Sequence, residues 1–364
     1  MTYLPKINRS LSRLCAALIL GVTSQASAGT SSNYHAIFLT SDETNLATFV
    51  DTNLVNPWGI LVGPDGSLIV ADNHSGLNTF YRPSGHSLPL AVNVPAPDGG
   101  AGAPTDLGLN TSEHAFQISK GHRRDQSVIV YATEDGTLLG WNPEVDRHNA
   151  IIAVDNSGAG AIYKSMVIAE TRHGLRLFAA NFGQGVVDVY DGNWTWVKSF
   201  TDTNLSNLGF VPFGIRQIGE HLFVTYAFKA SPDDGDETAG PGLGYVDEFT
   251  LSGNLVRQFA AQGTLNAPWG LALAPRGFGE FSGALLVGNF GDGAINAFNY
   301  NTGEFLGQLT NAQGLIIRID GLWGLAFANE SDNPGLYFTA GPDDEDHGLL
   351  GVILPDRSTH DRDR

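Results

Sequence analysis

Two acidic runs are the residues best able to do chemistry: Asp233-Asp234-Gly235-Asp236-Glu237 and Asp343-Asp344-Glu345-Asp346-His347. Together they hold eight of the chain's 38 acids, so negative charge is concentrated rather than spread. Oxygen-rich loops suit Ca²⁺, a hard cation that takes about six to eight oxygen ligands. Neither run has the spacing of an EF-hand loop, so an ion site would be assembled from separate segments. Asn56, Asp106, Asn266 and Asp320 are the expected metal ligands. The competing reading is a solvated acidic rim that keeps the protein soluble. His74 and His347 are the candidate catalytic groups, because imidazole changes charge near neutral pH and serves as general base or metal ligand. Ordinary loop histidines are the alternative. The sequence has no Gly-x-Ser-x-Gly and no His-Glu-x-x-His, which disfavours nucleophilic-serine and zincin chemistry. Gly99-Gly100-Ala101-Gly102 lacks the Lys-Ser/Thr of a phosphate loop.

What must position these residues is a repeat. A strand-like phrase recurs six times, from Leu68-Ile69-Val70-Ala71-Asp72 to Leu336-Tyr337-Phe338-Thr339-Ala340. A second phrase precedes each copy. It is clearest in Asn56-Pro57-Trp58-Gly59-Ile60, Val211-Pro212-Phe213-Gly214-Ile215, Ala267-Pro268-Trp269-Gly270-Leu271 and Gly321-Leu322-Trp323-Gly324-Leu325. Degenerate copies are Pro104-Thr105-Asp106-Leu107 and Tyr163-Lys164-Ser165-Met166. Aligning Gly59, Asp106, Ser165, Gly214, Gly270 and Gly324 gives spacings of 47, 59, 49, 56 and 54 residues. A third run follows each copy and a fourth follows five of them, separated by Gly, Asn, Asp and Pro turns. Four strands per unit of about 50 residues is the signature of a β-propeller. The sixth unit lacks its fourth strand. Tyr34 to Leu39 has no unit of its own and is expected to supply it, closing the ring. In such a blade the start of the first strand and the loop between strands two and three share one face. Asn56, Asp106, Lys164, Asn266 and Asp320 should therefore ring one mouth of a central tunnel, with both acidic runs around them. Trp58, Trp269 and Trp323 recur too regularly for sugar stacking and are expected to pack between blades.

Composition agrees. Of 364 residues 45 are Gly, and charged residues are 16%, low against a norm of about 25% and fitting strands buried on both faces. The net charge of −18 argues against nucleic acid as a partner, because phosphate binding needs a basic footprint. Residues 1–28 read as a secretory leader. They combine Lys6, Arg9 and Arg13, a short apolar core from Leu14 to Val22, and the small-residue site Ala26-Ser27-Ala28. Cleavage there removes the three basic residues and the single cysteine, Cys15, leaving a chain of charge −21 that starts at Gly29. No later stretch is apolar and long enough for a membrane helix. The expected organisation is a leader over 1–28, a propeller over 29–355 and a polar tail over 356–364.

The wording of several segments goes further than the repeat. Asp51-Thr52-Asn53-Leu54-Val55-Asn56-Pro57-Trp58-Gly59-Ile60, Gly140-Trp141-Asn142-Pro143, Ala267-Pro268-Trp269-Gly270-Leu271-Ala272-Leu273-Ala274-Pro275, Leu286-Val287-Gly288-Asn289-Phe290-Gly291-Asp292-Gly293 and Phe338-Thr339-Ala340-Gly341-Pro342 resemble an uncharacterised family of exported bacterial propellers. These are six-bladed and of NHL or TolB-like type, and some members end in a PEP-CTERM sorting helix. This chain ends instead in a polar tail. The resemblance implies the fold and a periplasmic or extracellular location, and it carries no activity. Two functions stay open. One is an exported propeller that binds a protein, glycan or small molecule, with or without a metal ion, at its acidic mouth. The other is a Ca²⁺-dependent hydrolase, lactonase- or esterase-like, with His74 or His347 as base.

Overall fold

The computed structural model describes residues 33–328 and 334–356. The leader expected over 1–28, and all but the first residue of the tail, lie outside them. The described chain is a six-bladed β-propeller. The six innermost strands are Pro57–Val62, Pro104–Leu109, Tyr163–Thr171, Phe210–Ile218, Pro268–Leu273 and Leu322–Phe327, one for each blade in chain order. In blades one to five it starts a four-stranded antiparallel sheet that runs outward in chain order. Blade six has three strands of its own, Leu322–Phe327, Leu336–Ala340 and Leu349–Pro355. Its fourth strand is Tyr34–Ser41, which runs antiparallel to the last with Tyr34 opposite Pro355 and Ser41 opposite Leu349, and the short Phe49–Val50 pairs parallel along its outer edge. The ring thus closes by strand pairing, as the orphan segment at Tyr34 implied. Tyr34 is fully buried, and its hydroxyl donates to the Phe278 carbonyl at 3.1 Å, tying this strand to blade five. Blade two also carries a small inserted hairpin that the repeat does not foreshadow, Gln117–Lys120 with Arg123–Gln126.

The repeated aromatic-glycine pair has a packing reason. In blades one, four, five and six the register between the first two strands slips across it, between Pro57 and Ile60, Pro212 and Ile215, Pro268 and Leu271, and Leu322 and Leu325. Such a bulge bends the strand and frees backbone groups from the ladder. A second-strand threonine satisfies them in two blades. The Gly324 amide donates to Thr339 Oγ1 at 2.9 Å, and that hydroxyl donates to the Trp58 carbonyl of blade one at 2.5 Å. The Gly214 amide donates to Thr225 Oγ1 at 2.7 Å. The glycines also sit where neighbouring blades touch. A Cβ on Gly270 would lie 2.5 Å from the Trp323 carbonyl oxygen, and one on Gly324 would lie 2.5 Å from that of Trp58. Gly214 meets the Trp269 carbonyl in the same way. In blade two Asp106 takes the glycine's place. Its Oδ2 accepts from the Ser165 hydroxyl at 2.7 Å and the Met166 amide at 3.1 Å, so blades two and three are joined by a side chain instead.

Gly270→Ala is therefore expected to push two inner strands apart and to lower unfolding stability by about 1–3 kcal/mol, the usual penalty of overpacking. Urea denaturation checks this, and an unchanged midpoint would show that the ring tolerates a methyl at this contact.

Candidate functional site

The residue before the close contact is aromatic in four blades: Trp58, Phe213, Trp269 and Trp323. These rings meet across the propeller axis. Trp58 stacks on Trp323 at 3.7 Å, Trp269 stands edge-on to both, and Phe213 reaches Trp323 at 5.9 Å. All four are at most 3% exposed. The recurring tryptophans are core, as their regular spacing implied. The central tunnel expected from the repeat is corrected to a cup, because this plug fills the axis and leaves the mouth with an aromatic floor.

Blades two and three break the aromatic rule, with Thr105 and Lys164 at the equivalent positions. Lys164 brings a charge into the plug. Its side chain is 1% exposed, and its Nζ lies 5.1 Å from the Trp58 ring centre and 5.6 Å from that of Phe182. Burial alone would push its ammonium group down. The charges of Glu134, Glu237 and Asp236 outweigh that and hold it above the usual lysine range. Glu134 Oε1 lies at 2.6 Å, Asp236 Oδ1 at 2.8 Å and Glu237 Oε2 at 4.0 Å. Glu134 follows the second strand of blade two, and Asn73 of blade one donates to its other oxygen at 2.9 Å. Asp236 and Glu237 come from the long loop of blade four.

The second acidic run enters from blade six in a strained form. Asp343, Asp344 and Glu345 have φ of 57°, 54° and 69°. Each such residue without glycine costs roughly 1–2 kcal/mol, so the loop must be held from outside. Asn56 Nδ2 donates to Glu345 Oε2 at 2.6 Å, and the Asn56 amide donates to the His347 carbonyl. Asp320 Oδ2 accepts from the Asp343 amide at 3.1 Å. His347 Nδ1 meets Asp42 Oδ2 at 3.0 Å, which raises the imidazole pKa.

These contacts give most of the residues singled out from the sequence a place. Asn56, Asp320 and His347 brace the blade-six loop. Asn266 braces the blade-four loop, since its Oδ1 accepts from the Gly240 amide at 2.6 Å. Asp106 lies buried in the seam of blades two and three, where burial raises its carboxyl pKa against the pull of Arg216. Asn56, Asp106, Asn266 and Asp320 thus each have partners of their own. Among the described residues no three His, Asp or Glu side chains are grouped to hold a metal ion. His74 lines the cup, whereas His347 faces Asp42 and Glu43 and forms no pair with it.

The cup has a volume of about 410 Å³. Trp58 and Trp323 floor it, and Lys164, Glu134, Asp236, Glu237, Asp344 and Glu345 are among its walls. Two buried polar atoms of the cup have no hydrogen-bond partner, Trp58 Nε1 and Glu237 Oε2, the latter 4.0 Å from the Lys164 Nζ. Burial pushes the Glu237 carboxyl up to about 7, against the pull of Lys164, and burial also raises that of Glu345. Five acids face one buried ammonium, so the site carries net negative charge over a π surface. The sequence places Lys164 at the mouth without marking it as the centre. The mark it does carry is a lysine standing in a column of aromatics.

No protein-family model matches the chain. Two uncharacterized proteins of Acanthamoeba polyphaga mimivirus are 33% and 32% identical over 327 residues, covering 88% of this chain and 80% and 85% of theirs. The chain belongs to their family. These relatives are viral, and they carry no activity to transfer. Among solved structures, a streptogramin B lyase superposes with a TM-score of 0.52 at 11% identity, covering 91% of this chain and all of the other. A gluconolactonase from Xanthomonas campestris superposes with a TM-score of 0.51 at 12% identity, covering 89% and 90%. At that identity the likeness is one of fold, and a fold of this kind hosts unrelated functions.

The Glu237 shift has a sign that can be tested. Its folded pKa of about 7 stands above the ordinary 4.5, so its contribution to stability is complete below the ordinary value and is lost as pH rises through 7. Glu237→Gln, a permanently neutral isostere, should match the wild type near pH 4 and melt higher at pH 8. Equal melting temperatures at both pH values would show that Glu237 is not held neutral.

Proposed function

We propose that the protein binds a small organic cation, a molecule bearing an ammonium or guanidinium group, in the acidic cup. The observation that carries this reading is a buried Glu237 oxygen that accepts no hydrogen bond and meets Lys164 only at 4.0 Å, above a tryptophan floor in a site where carboxylates outnumber cations. Carboxylates supply charge and hydrogen-bond acceptors, and aromatic faces attract cations by about 0.5–2 kcal/mol each. Lys164 occupies part of this surface and fixes the carboxylates that the ligand meets.

A cation favours ionised Glu237, so affinity should rise as pH passes from 6 to 8. Calorimetry with putrescine, choline and argininamide, each against a neutral analogue, tests this. Wild type should bind one of the cations in preference to its analogue, more tightly at pH 8. Glu237→Gln should bind it about tenfold more weakly and lose the pH dependence. Failure of all three cations to outbind their analogues would overturn the reading.

The second reading is Ca²⁺, and with it lactonase- or esterase-like hydrolysis, which the gluconolactonase likeness brings to mind by fold alone. Asn56 and Asn266 are committed to bracing loops, and no three acids of the described residues are grouped for an ion, so Ca²⁺ would have to draw the loop carboxylates of Asp236, Glu237, Asp344 and Glu345 together on binding. His74 is the base candidate that lines the cup. CaCl₂ in the same titration, on chelator-treated protein, separates the two readings. Tight Ca²⁺ binding that excludes the organic cations would favour the second.

A further inference from the structure

A second cavity opens beside the cup, between blades three and four, with the opposite chemistry. It has a volume of about 670 Å³, and Lys229 is the one charged residue among those lining it. Lys229 is 9% exposed, follows the second strand of blade four, and has no carboxylate within ion-pair distance among the described residues. Its Nζ donates to the carbonyl oxygens of Gly183 at 3.1 Å and Phe182 at 3.5 Å, which leaves one of its three hydrogens without an acceptor. Both lysines lie against Phe182, with the Lys229 Nζ 5.3 Å and the Lys164 Nζ 5.6 Å from its ring centre. The remaining wall is apolar at Val186, Leu208, Val211 and Phe228 and carries neutral hydrogen-bonding groups at Thr201 and Ser206.

We propose that this cavity binds a small monocarboxylate with an apolar body, its carboxylate on Lys229 and its body against Val186, Leu208, Val211 and Phe228. The physical case is one of unmet charge. The Lys229 ammonium is partly withdrawn from water, and an anion beside it would offset that cost. In a chain of net charge −18, counter-charge is abundant, yet none is placed in contact here. Asp233 and Asp234 attract Lys229 only from beyond ion-pair distance, and burial lowers its pKa in spite of them. A carboxylate would take the free N–H in a charge-assisted hydrogen bond and relieve that cost. The apolar wall selects against inorganic anions, which would have to shed water against it.

The test is calorimetry with benzoate and with benzamide, its uncharged isostere. Benzoate should bind the wild type at least about tenfold more tightly than benzamide. Lys229→Gln should remove that preference, and Lys229→Arg should retain it. Leu208 is 60% exposed on the wall, so Leu208→Glu should fold normally and weaken benzoate by charge repulsion even if the Lys229 variants prove unstable. Equal affinity for benzoate and benzamide, undiminished benzoate binding in Lys229→Gln or Leu208→Glu, or no benzoate binding up to about 50 mM would each overturn the proposal.

Discussion

The buried ammonium of Lys164 is the interaction on which the open face of this propeller depends. A lysine 1% exposed to solvent is tolerable only when charges of opposite sign come to it. They come from two other blades. Glu134 is supplied by blade two, and Asp236 and Glu237 by blade four. Glu345 approaches from blade six and is held by Asn56 of blade one. One charge on the third inner strand thus gathers long loops that have no sequence relation to each other. The gathered acids are more than the lysine can neutralise, and the surplus faces the cup.

The cup has its floor because of a constraint lower in the ring. Inner strands approach so closely that glycine is required at Gly214, Gly270 and Gly324, where a Cβ would meet the next blade's carbonyl. The residue before each glycine then turns toward the axis, and in four blades it is aromatic. Four such rings fill the channel, which converts a potential tunnel into a one-sided site. The blade-six acidic loop is strained in its backbone, and polar side chains at the mouth hold both acidic loops in place. Asn56, Asp320, His347 and Asn266 fix where Glu345 and the blade-four loop lie.

Architecture was legible in the sequence because a propeller repeats itself. The strand-like phrase that recurs six times gave the blade number, and the unmatched segment at Tyr34 gave the closure. Long-range contacts leave no such trace. Nothing local tells that Lys164 meets Asp236, 72 residues away, or that Asn56 meets Glu345, 289 residues away. The acidic runs and mouth residues could be read as belonging to one end of the ring. Their division of labour could not, because bracing a loop and binding an ion ask for the same residue types. The axis was misjudged for a related reason. Packing between blades and packing across a channel both use large aromatics, and only the ring geometry distinguishes them. The hairpin at Gln117–Gln126 escaped because its strands are short and polar.

Titration of the Glu237 carboxyl by isotope-edited NMR, in the wild type and in Lys164→Met, tests most directly whether Lys164 organises the cup. Glu237 should titrate near 7 in the wild type, as its burial implies. It should move higher in the variant, where the charge that favours its ionised form is gone. A Glu237 that titrates in the ordinary carboxylate range, or one that does not respond to the loss of Lys164, would contradict the electrostatic organisation described here.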